Sequence, residues 1–185
     1  MKRMSISALL FLISFNSYSQ ITKHNWLIGG SGAFSHDKTT FSTGGISSSQ
    51  INFNPRIGYF LADHFALGLI GDYAWVSTKS NNIKSSYTNY GIGPFLRYYI
   101  LPSDYRTNLI IEANGTYNEQ SNNLISDKSS FFSYGISAGP VIFLNSSVGL
   151  ELLLGYKGYK VIDESTKNNG IQINIGIQFH LERDK

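Results

Sequence analysis

The sequence predicts an all-β fold, an eight-stranded antiparallel up-and-down transmembrane β-barrel, preceded by a cleaved signal peptide. Three observations carry that prediction. The run Ile171-Gln172-Ile173-Asn174-Ile175-Gly176-Ile177-Gln178-Phe179 alternates large apolar residues with polar ones or glycine, the period of two that a pleated strand imposes. Further segments repeat the pattern, and their apolar faces carry no charge. The first residues, finally, have the make-up of an export signal.

Lys2 and Arg3 open the chain, an apolar run follows from Ile6 to Phe15, and Asn16-Ser17-Tyr18-Ser19 closes it with small and polar residues. This n-region, h-region and small-x-small order marks a secretory signal spanning 1–19, with the mature chain beginning at Gln20. The apolar run is too short to cross about 30 Å of hydrocarbon as a helix. The remaining residues, 20–185, form one barrel domain. With no cysteine in the chain, neither disulfides nor a lipid-modified cysteine can contribute. Removal of Lys2 and Arg3 from the 15 basic residues leaves 13 against 12 acidic ones, a net charge of +1. Nucleic acid is therefore an unsupported partner.

Each strand divides by parity. The first, about 24–35, aligns Trp26, Ile28, Gly30, Gly32 and Phe34. The second, about 50–60, aligns Ile51, Phe53, Pro55, Ile57 and Tyr59, and the third, about 65–76, aligns Leu67, Leu69, Gly71, Tyr73 and Trp75. The fourth, about 87–100, shows Tyr90, Ile92, Pro94, Leu96 and Tyr98. The fifth, about 107–118, shows Leu109, Ile111, Ala113, Gly115 and Tyr117. The sixth, about 131–144, presents Tyr134, Ile136, Ala138, Pro140 and Ile142; the seventh, about 147–157, presents Val148, Leu150, Leu152, Leu154 and Tyr156. The closing strand is the one quoted first.

The opposite faces are small and polar, rich in Gly, Asn and Gln, with charges at Arg56, Asp72, Arg97, Glu112 and Glu151. Apolar outside and polar inside is what lipid demands of a barrel. The interior of eight strands is just wide enough for side chains to fill, so these five charges predict a paired lumen network. A secreted lipocalin-like ligand binder has the same alternation turned inside out. Charged residues are only 15% of the chain and fall mostly in expected loops and termini, which favours the membrane barrel.

Connections alternate in length. Those at Leu61–His64, Leu101–Arg106 and Asn145-Ser146 are short, whereas His36–Ser49, Ser77–Ser86, Asn118–Ser130 and Gly158–Asn169 are longer and rich in Ser, Asn, Lys and Gly. Short turns at one rim and long loops at the other fit the periplasmic and extracellular ends of an outer-membrane barrel. Aromatic residues gather near both rims: Trp26, Tyr59, Phe65, Tyr98, Tyr99 and Phe179 at the periplasmic one, and Phe34, Tyr73, Trp75, Tyr90, Tyr117, Tyr134 and Tyr156 at the outer. Amphipathic rings at headgroup depth would form two girdles. Pro55, Pro94 and Pro140 fall at matching points of three strands; proline cannot donate to a ladder, so a bulge or local opening is expected at each.

The runs Asn-Pro-Arg-Ile-Gly-Tyr-Phe at 54–60 and Gly-Pro-Phe-Leu-Arg-Tyr-Tyr at 93–99, with the closing aromatic strand, resemble small outer-membrane β-barrel proteins. The likeness is to eight-stranded OmpA-like and OmpX-like barrel domains of the Bacteroidetes type. The resemblance implies a monomer in the outer membrane of a Gram-negative bacterium, delivered by barrel-assembly machinery that usually reads a terminal aromatic residue. Here Phe179 is followed by His180–Lys185, a departure that leaves the signal open between Phe179 and Leu181. Partners are then outer-membrane lipids and an extracellular partner met through long loops.

No cofactor, metal or catalytic residue is expected. His24, His36, His64 and His180 lack metal-ligand spacing, although His24 and His180 could meet where the first and last strands close the ring. Gly29-Gly30-Ser31-Gly32 precedes strand pattern rather than a helix, the wrong context for a phosphate cradle. Ser35-His36-Asp37 are neighbours on one segment, so their side chains diverge rather than form a triad. The expected role is structural or interactive, with a side-chain-filled lumen. A narrow porin-like channel is the alternative, ahead of an outer-membrane lipid-modifying enzyme.

Overall fold

The computed structural model of the chain describes residues 21–41, 44–80, 83–123, 128–162 and 167–182. The signal expected at 1–19 lies outside them. Eight strands follow one another: β1 (Trp26–Phe41), β2 (Gly44–Ala62), β3 (Phe65–Ser80), β4 (Ile83–Tyr99), β5 (Thr107–Asn122), β6 (Lys128–Phe143), β7 (Val148–Val161) and β8 (Lys167–Leu181). Each pairs antiparallel with its sequence neighbour, and β1 closes on β8, giving an up-and-down barrel.

Parity comes out as lipid requires. Ile28, Leu67, Leu96, Leu152 and Ile175 are exposed on the outer wall, whereas Arg56, Asp72, Arg97, Glu112 and Glu151 are buried in the lumen. That orientation excludes the lipocalin arrangement.

The four connections expected to be long loops are instead mostly strand. Asp37 pairs with Ser48, Ser48 with Thr78, Thr78 with Ser85, Gln120 with Ser129, and Tyr159 with Asn168. The physical reason lies in the solvent. Above Phe34, Trp75, Tyr90 and Phe132 the outward positions become His36 and Lys38, Ser77 and Lys79, Thr88 and Lys84, and Ser130 and Lys128. Where no lipid covers the wall, both faces can be polar, and the period-two signal fades while the backbone ladder continues.

At the other rim, tight turns are locked by side chains. The Asn145 Oδ1 accepts from the amides of Ser147 and Val148 at 2.9 and 2.7 Å. Asn108 Oδ1 accepts from Leu101 N at 2.9 Å. His64 turns the chain between β2 and β3 with a left-handed φ of 68°.

Each of the three strand prolines, all in outward rows, opens the ladder on one side only. Pairing stops between Phe53↔Tyr73 and Arg56↔Ile70, between Ile92↔Tyr117 and Phe95↔Asn114, and between Ala138↔Leu154 and Val141↔Glu151. Register is the same above and below each gap, so these are openings and not bulges. On their other flanks Pro55, Pro94 and Pro140 stay paired to Gly30, Leu69 and Leu109. The missing N–H thus faces β3, β5 or β7. Facing strands press close there: a Cβ on Gly93 would overlap the carbonyl oxygen of Gly115, and one on Gly139 that of Leu152.

One seam differs from the rest. β1 and β8 pair from Trp26↔Leu181 to Gly32↔Ile175. Above that point, among the described residues, the two strands run on without pairing to each other.

Candidate functional site

The lumen is filled in layers. Lowest, at the rim of the short turns, is an apolar stopper of Ile21, Leu27, Phe60, Tyr99, Ile110 and Phe143, all essentially inaccessible. His180 joins it: its ring centroid lies 5.9 Å from Phe60, 5.7 Å from Tyr99 and 5.4 Å from Phe143. Its Nε2 sits 2.9 Å from the Tyr99 hydroxyl, a polar contact inside the apolar layer that leaves the buried Nδ1 without a partner. The segment before β1 caps this end, with Ile21 O accepting from His64 N at 2.8 Å and Asp63 Oδ1 from Lys23 N at 2.8 Å.

Two sequence expectations are corrected here. Tyr99 is not a rim aromatic: Tyr98 and Tyr99 are adjacent on β4, so one must face out and the other in. Nor do His24 and His180 meet. His24 has φ 77°, precedes β1, and its Nδ1 contacts the Tyr59 hydroxyl at 2.9 Å, while strand parity sends His180 inward.

Above the stopper, four charged side chains from β2, β4, β5 and β7 form a closed square. Arg56 Nη1 donates to Glu112 Oε2 at 3.2 Å and to Glu151 Oε1 at 2.9 Å. Arg97 donates through Nε and Nη2 to Glu112 Oε2 at 2.8 and 2.6 Å, and through Nη1 to Glu151 Oε2 at 2.8 Å. Each carboxylate thus accepts from both guanidinium groups, and the charges cancel. Arg56 Nη2 also donates to Ser31 Oγ at 3.1 Å. Removing four ions from water is costly, and only this mutual pairing makes it tolerable.

Asp72, expected in the same network, stands apart from it. It pairs instead with Lys157 Nζ at 2.5 Å, and its Oδ1 accepts from Asn54 Nδ2 at 3.1 Å. Lys157 follows Glu151, Leu153 and Gly155 in the inward row of β7, so parity alone could have found it. Between the square and this pair is a small polar cavity of about 30 Å³, room for a few waters at most.

Above Asp72 and Lys157 the lumen widens into a vestibule of about 480 Å³ that reaches towards the long hairpins. Carboxamides dominate its wall, from Gln50 and Asn52 on β2 round to Gln172 and Asn174 on β8, and Tyr87, Phe131 and Tyr159 add rings. Phe131 and Tyr159 have centroids 5.3 Å apart and planes tilted by 53°.

Among the outward aromatics, Trp26, Tyr59, Tyr98 and Phe179 lie towards the lower rim and Tyr73, Trp75, Tyr117 and Tyr156 higher, with Trp26 edge-on to Tyr59 at 5.2 Å. The residues Ser35, His36 and Asp37 lie within β1, not in a loop. His36 Nδ1 contacts Ser49 Oγ on β2 at 2.8 Å, a cross-strand pair, and its neighbours face the other way.

No curated protein matches the chain. Among solved structures, the outer membrane protein OprG of Pseudomonas aeruginosa is similar, with TM-score 0.55 and 11% identity over 91% of this chain and 100% of that one. The N-terminal β-barrel domain of Pseudomonas aeruginosa OprF gives TM-score 0.49 at 13% identity, covering 86% of this chain and 98% of that one. Neisserial surface protein A gives 0.47 at 19% identity, covering 84% and 96%. OprG at that identity supports the fold alone. The family model described as outer membrane protein beta-barrel domain matches residues 5–179, nearly the whole chain and all eight strands as far as Phe179. With its lipid-facing outer wall and closed ring of eight antiparallel strands, the protein belongs to the outer membrane protein beta-barrel domain family and resides in the outer membrane of a Gram-negative bacterium.

Proposed function

We propose that the protein is a non-conducting, non-catalytic barrel, a monomer whose work in the envelope is structural and is done through its surface. The observation that carries this reading is the double closure of the lumen. The Arg56–Glu112–Arg97–Glu151 square fills the axis, and the Phe60–Tyr99–His180–Phe143 stopper lies beneath it. An ion would have to displace a charge-neutral, mutually paired cluster and then cross an apolar layer with almost no hydrogen-bond partners to offer it.

In this reading residues 1–19 are removed on export, both termini face the periplasm, and the hairpin tips face outward. The outward rings of Trp26, Tyr59, Tyr98 and Phe179 make one girdle, and those of Tyr73, Trp75, Tyr117 and Tyr156 the other. Barrel-assembly machinery inserts the chain. An extracellular partner meets the polar strand extensions above the second girdle, which replace the long loops as the contact surface.

A narrow porin-like channel is the second reading, favoured by the vestibule and the 30 Å³ cavity standing in line above the square. Planar-bilayer recording on purified protein separates the two. The plugged reading expects a silent membrane; stable unitary currents would establish the channel.

A further inference from the structure

We propose that the vestibule above Asp72 and Lys157 is a binding site for a neutral saccharide group. It has the volume of a ligand pocket, about 480 Å³, within the usual range of about 300–1,000 Å³. Its chemistry is narrow. Gln50, Asn52, Asn89, Gln120, Gln172 and Asn174 line it, and each carboxamide offers both donors and an acceptor. A sugar hydroxyl likewise both donates and accepts, so such a wall matches a polyhydroxylated ring at many points.

Charge argues in the same direction. The charged groups on the lining are Asp72 and Lys157, already joined to each other. A charged ligand would find no free counter-charge and would have to break that pair. A neutral one leaves it intact as a polar floor.

Two further features point to a ligand. Asn89 is buried, its Nδ2 donates to Asn118 Oδ1 at 3.3 Å, and its own Oδ1 has no partner. An unpaired buried acceptor on the wall of a cavity is costly unless something donates to it. Tyr87, Phe131 and Tyr159 stand on neighbouring parts of the wall from β4, β6 and β7. Ring faces carry partial negative charge, suited to the C–H face of a sugar. Aromatic rings set among carboxamides are what separates a saccharide site from a merely wet lumen.

The vestibule also reaches the seam. Ile173 belongs to the outward row of β8 yet lines the cavity with Ala33 of β1, where those two strands have ceased to pair. The same saccharide chemistry can therefore arrive from two sources, as a free oligosaccharide from above or as the headgroup of a glycolipid from the side. The site does not depend on whether the lumen conducts.

The test uses the full-length mature protein in phosphatidylcholine nanodiscs, with maltose and N,N′-diacetylchitobiose as free probes at millimolar concentration. Saturation-transfer NMR should show transfer to ring C–H protons of at least one disaccharide. Tyr159→Ala and Asn89→Leu should each weaken that binding about ten-fold, the scale of one aromatic platform or one lost partner. Lys38→Gln on the outer wall should leave it unchanged, and heat-dependent gel mobility confirms that each variant is folded. Nanodiscs doped with digalactosyldiacylglycerol assign the source: competition with the free sugar marks a glycolipid headgroup, and no competition a free oligosaccharide. Absence of transfer to both disaccharides from folded protein overturns the proposal. So does binding unaffected in both variants, or binding of L-arginine or L-glutamate in their place that is lost in Asp72→Asn.

Discussion

Lys157 on β7 reaches Asp72 on β3 across the full width of the barrel, Nζ to Oδ2 at 2.5 Å, joining strands that stand opposite in the closed ring of eight. One layer below, Arg97 on β4 meets Glu151 on β7 at 2.8 Å. Two cross-lumen ties therefore hold the same strand, and they differ chiefly in solvent access. The Lys157 side chain is 31% exposed, whereas those of Arg97 and Glu151 are 0%.

That difference sets the first expectation. Lys157→Met should destabilise the folded barrel by about 1–3 kcal/mol, less than the loss of Arg97, because Lys157 is partly open to the vestibule while Asp72, 8% exposed, keeps the Asn54 hydrogen bond when its partner leaves. The check is a urea unfolding titration in lipid vesicles, followed by heat-dependent gel mobility. A loss as large as that at Arg97 would mean the vestibule is dry at this depth.

Arg97→Ala should cost about 3–5 kcal/mol, since it strands two buried carboxylates that only Arg56 could still serve. Arg97→Lys should recover part of that loss and no more. An ammonium keeps the charge but cannot reproduce the Nε and Nη2 pair on Glu112 together with the Nη1 bond to Glu151. The same titration reads both variants, and equal stability of the alanine and lysine forms would show that geometry contributes nothing beyond charge.

The square's members were legible in the sequence because parity and lipid act on one strand at a time. Arg56, Arg97 and Glu112 are each the one charge of an inward row, and Glu151 shares its row with Lys157 alone. Their partnership was not legible, since it depends on how far each strand slides past the next. Asp72 shares the square's inward parity, but strand stagger carries it up to Lys157. Tyr99 obeys the same parity rule although its ring suggests the rim, and His180, inward by parity, joins the stopper instead of meeting His24. The strand ends were hidden for a different reason. Alternation marks where lipid stops, and Lys79, Lys84 and Lys128 lie on strands that continue beyond it.

The proline openings yield a paired expectation. Gly93→Ala should destabilise the barrel by about 1–3 kcal/mol, because the new methyl would collide with the Gly115 carbonyl and force β4 and β5 apart. Pro94→Ala should be neutral or mildly stabilising, as it restores an N–H facing a strand that already lies alongside. Urea midpoints of the two variants against the parent measure this. If Gly93→Ala were silent and Pro94→Ala harmful, the opening would owe its shape to proline's rigidity and not to the close backbone approach.

Lipid-facing parity is tested most directly on β7. Leu152 is the middle of the outward row Val148, Leu150, Leu152, Leu154 and Tyr156 and is 49% exposed to the surroundings of the barrel. In water an arginine there would be harmless. At the midplane of a bilayer it must drag a guanidinium into hydrocarbon, and Leu152→Arg should cost about 2–4 kcal/mol. Ser77→Arg supplies the control. It lies on the same outer face of β3, one outward position beyond Trp75, next to Lys79 in the polar extension, and should cost about 0–1 kcal/mol. Folding both variants into vesicles and comparing their urea transitions gives the depth dependence. Equal, small penalties would place Leu152 outside the hydrocarbon, and the position of the apolar band along all eight strands would have to be redrawn.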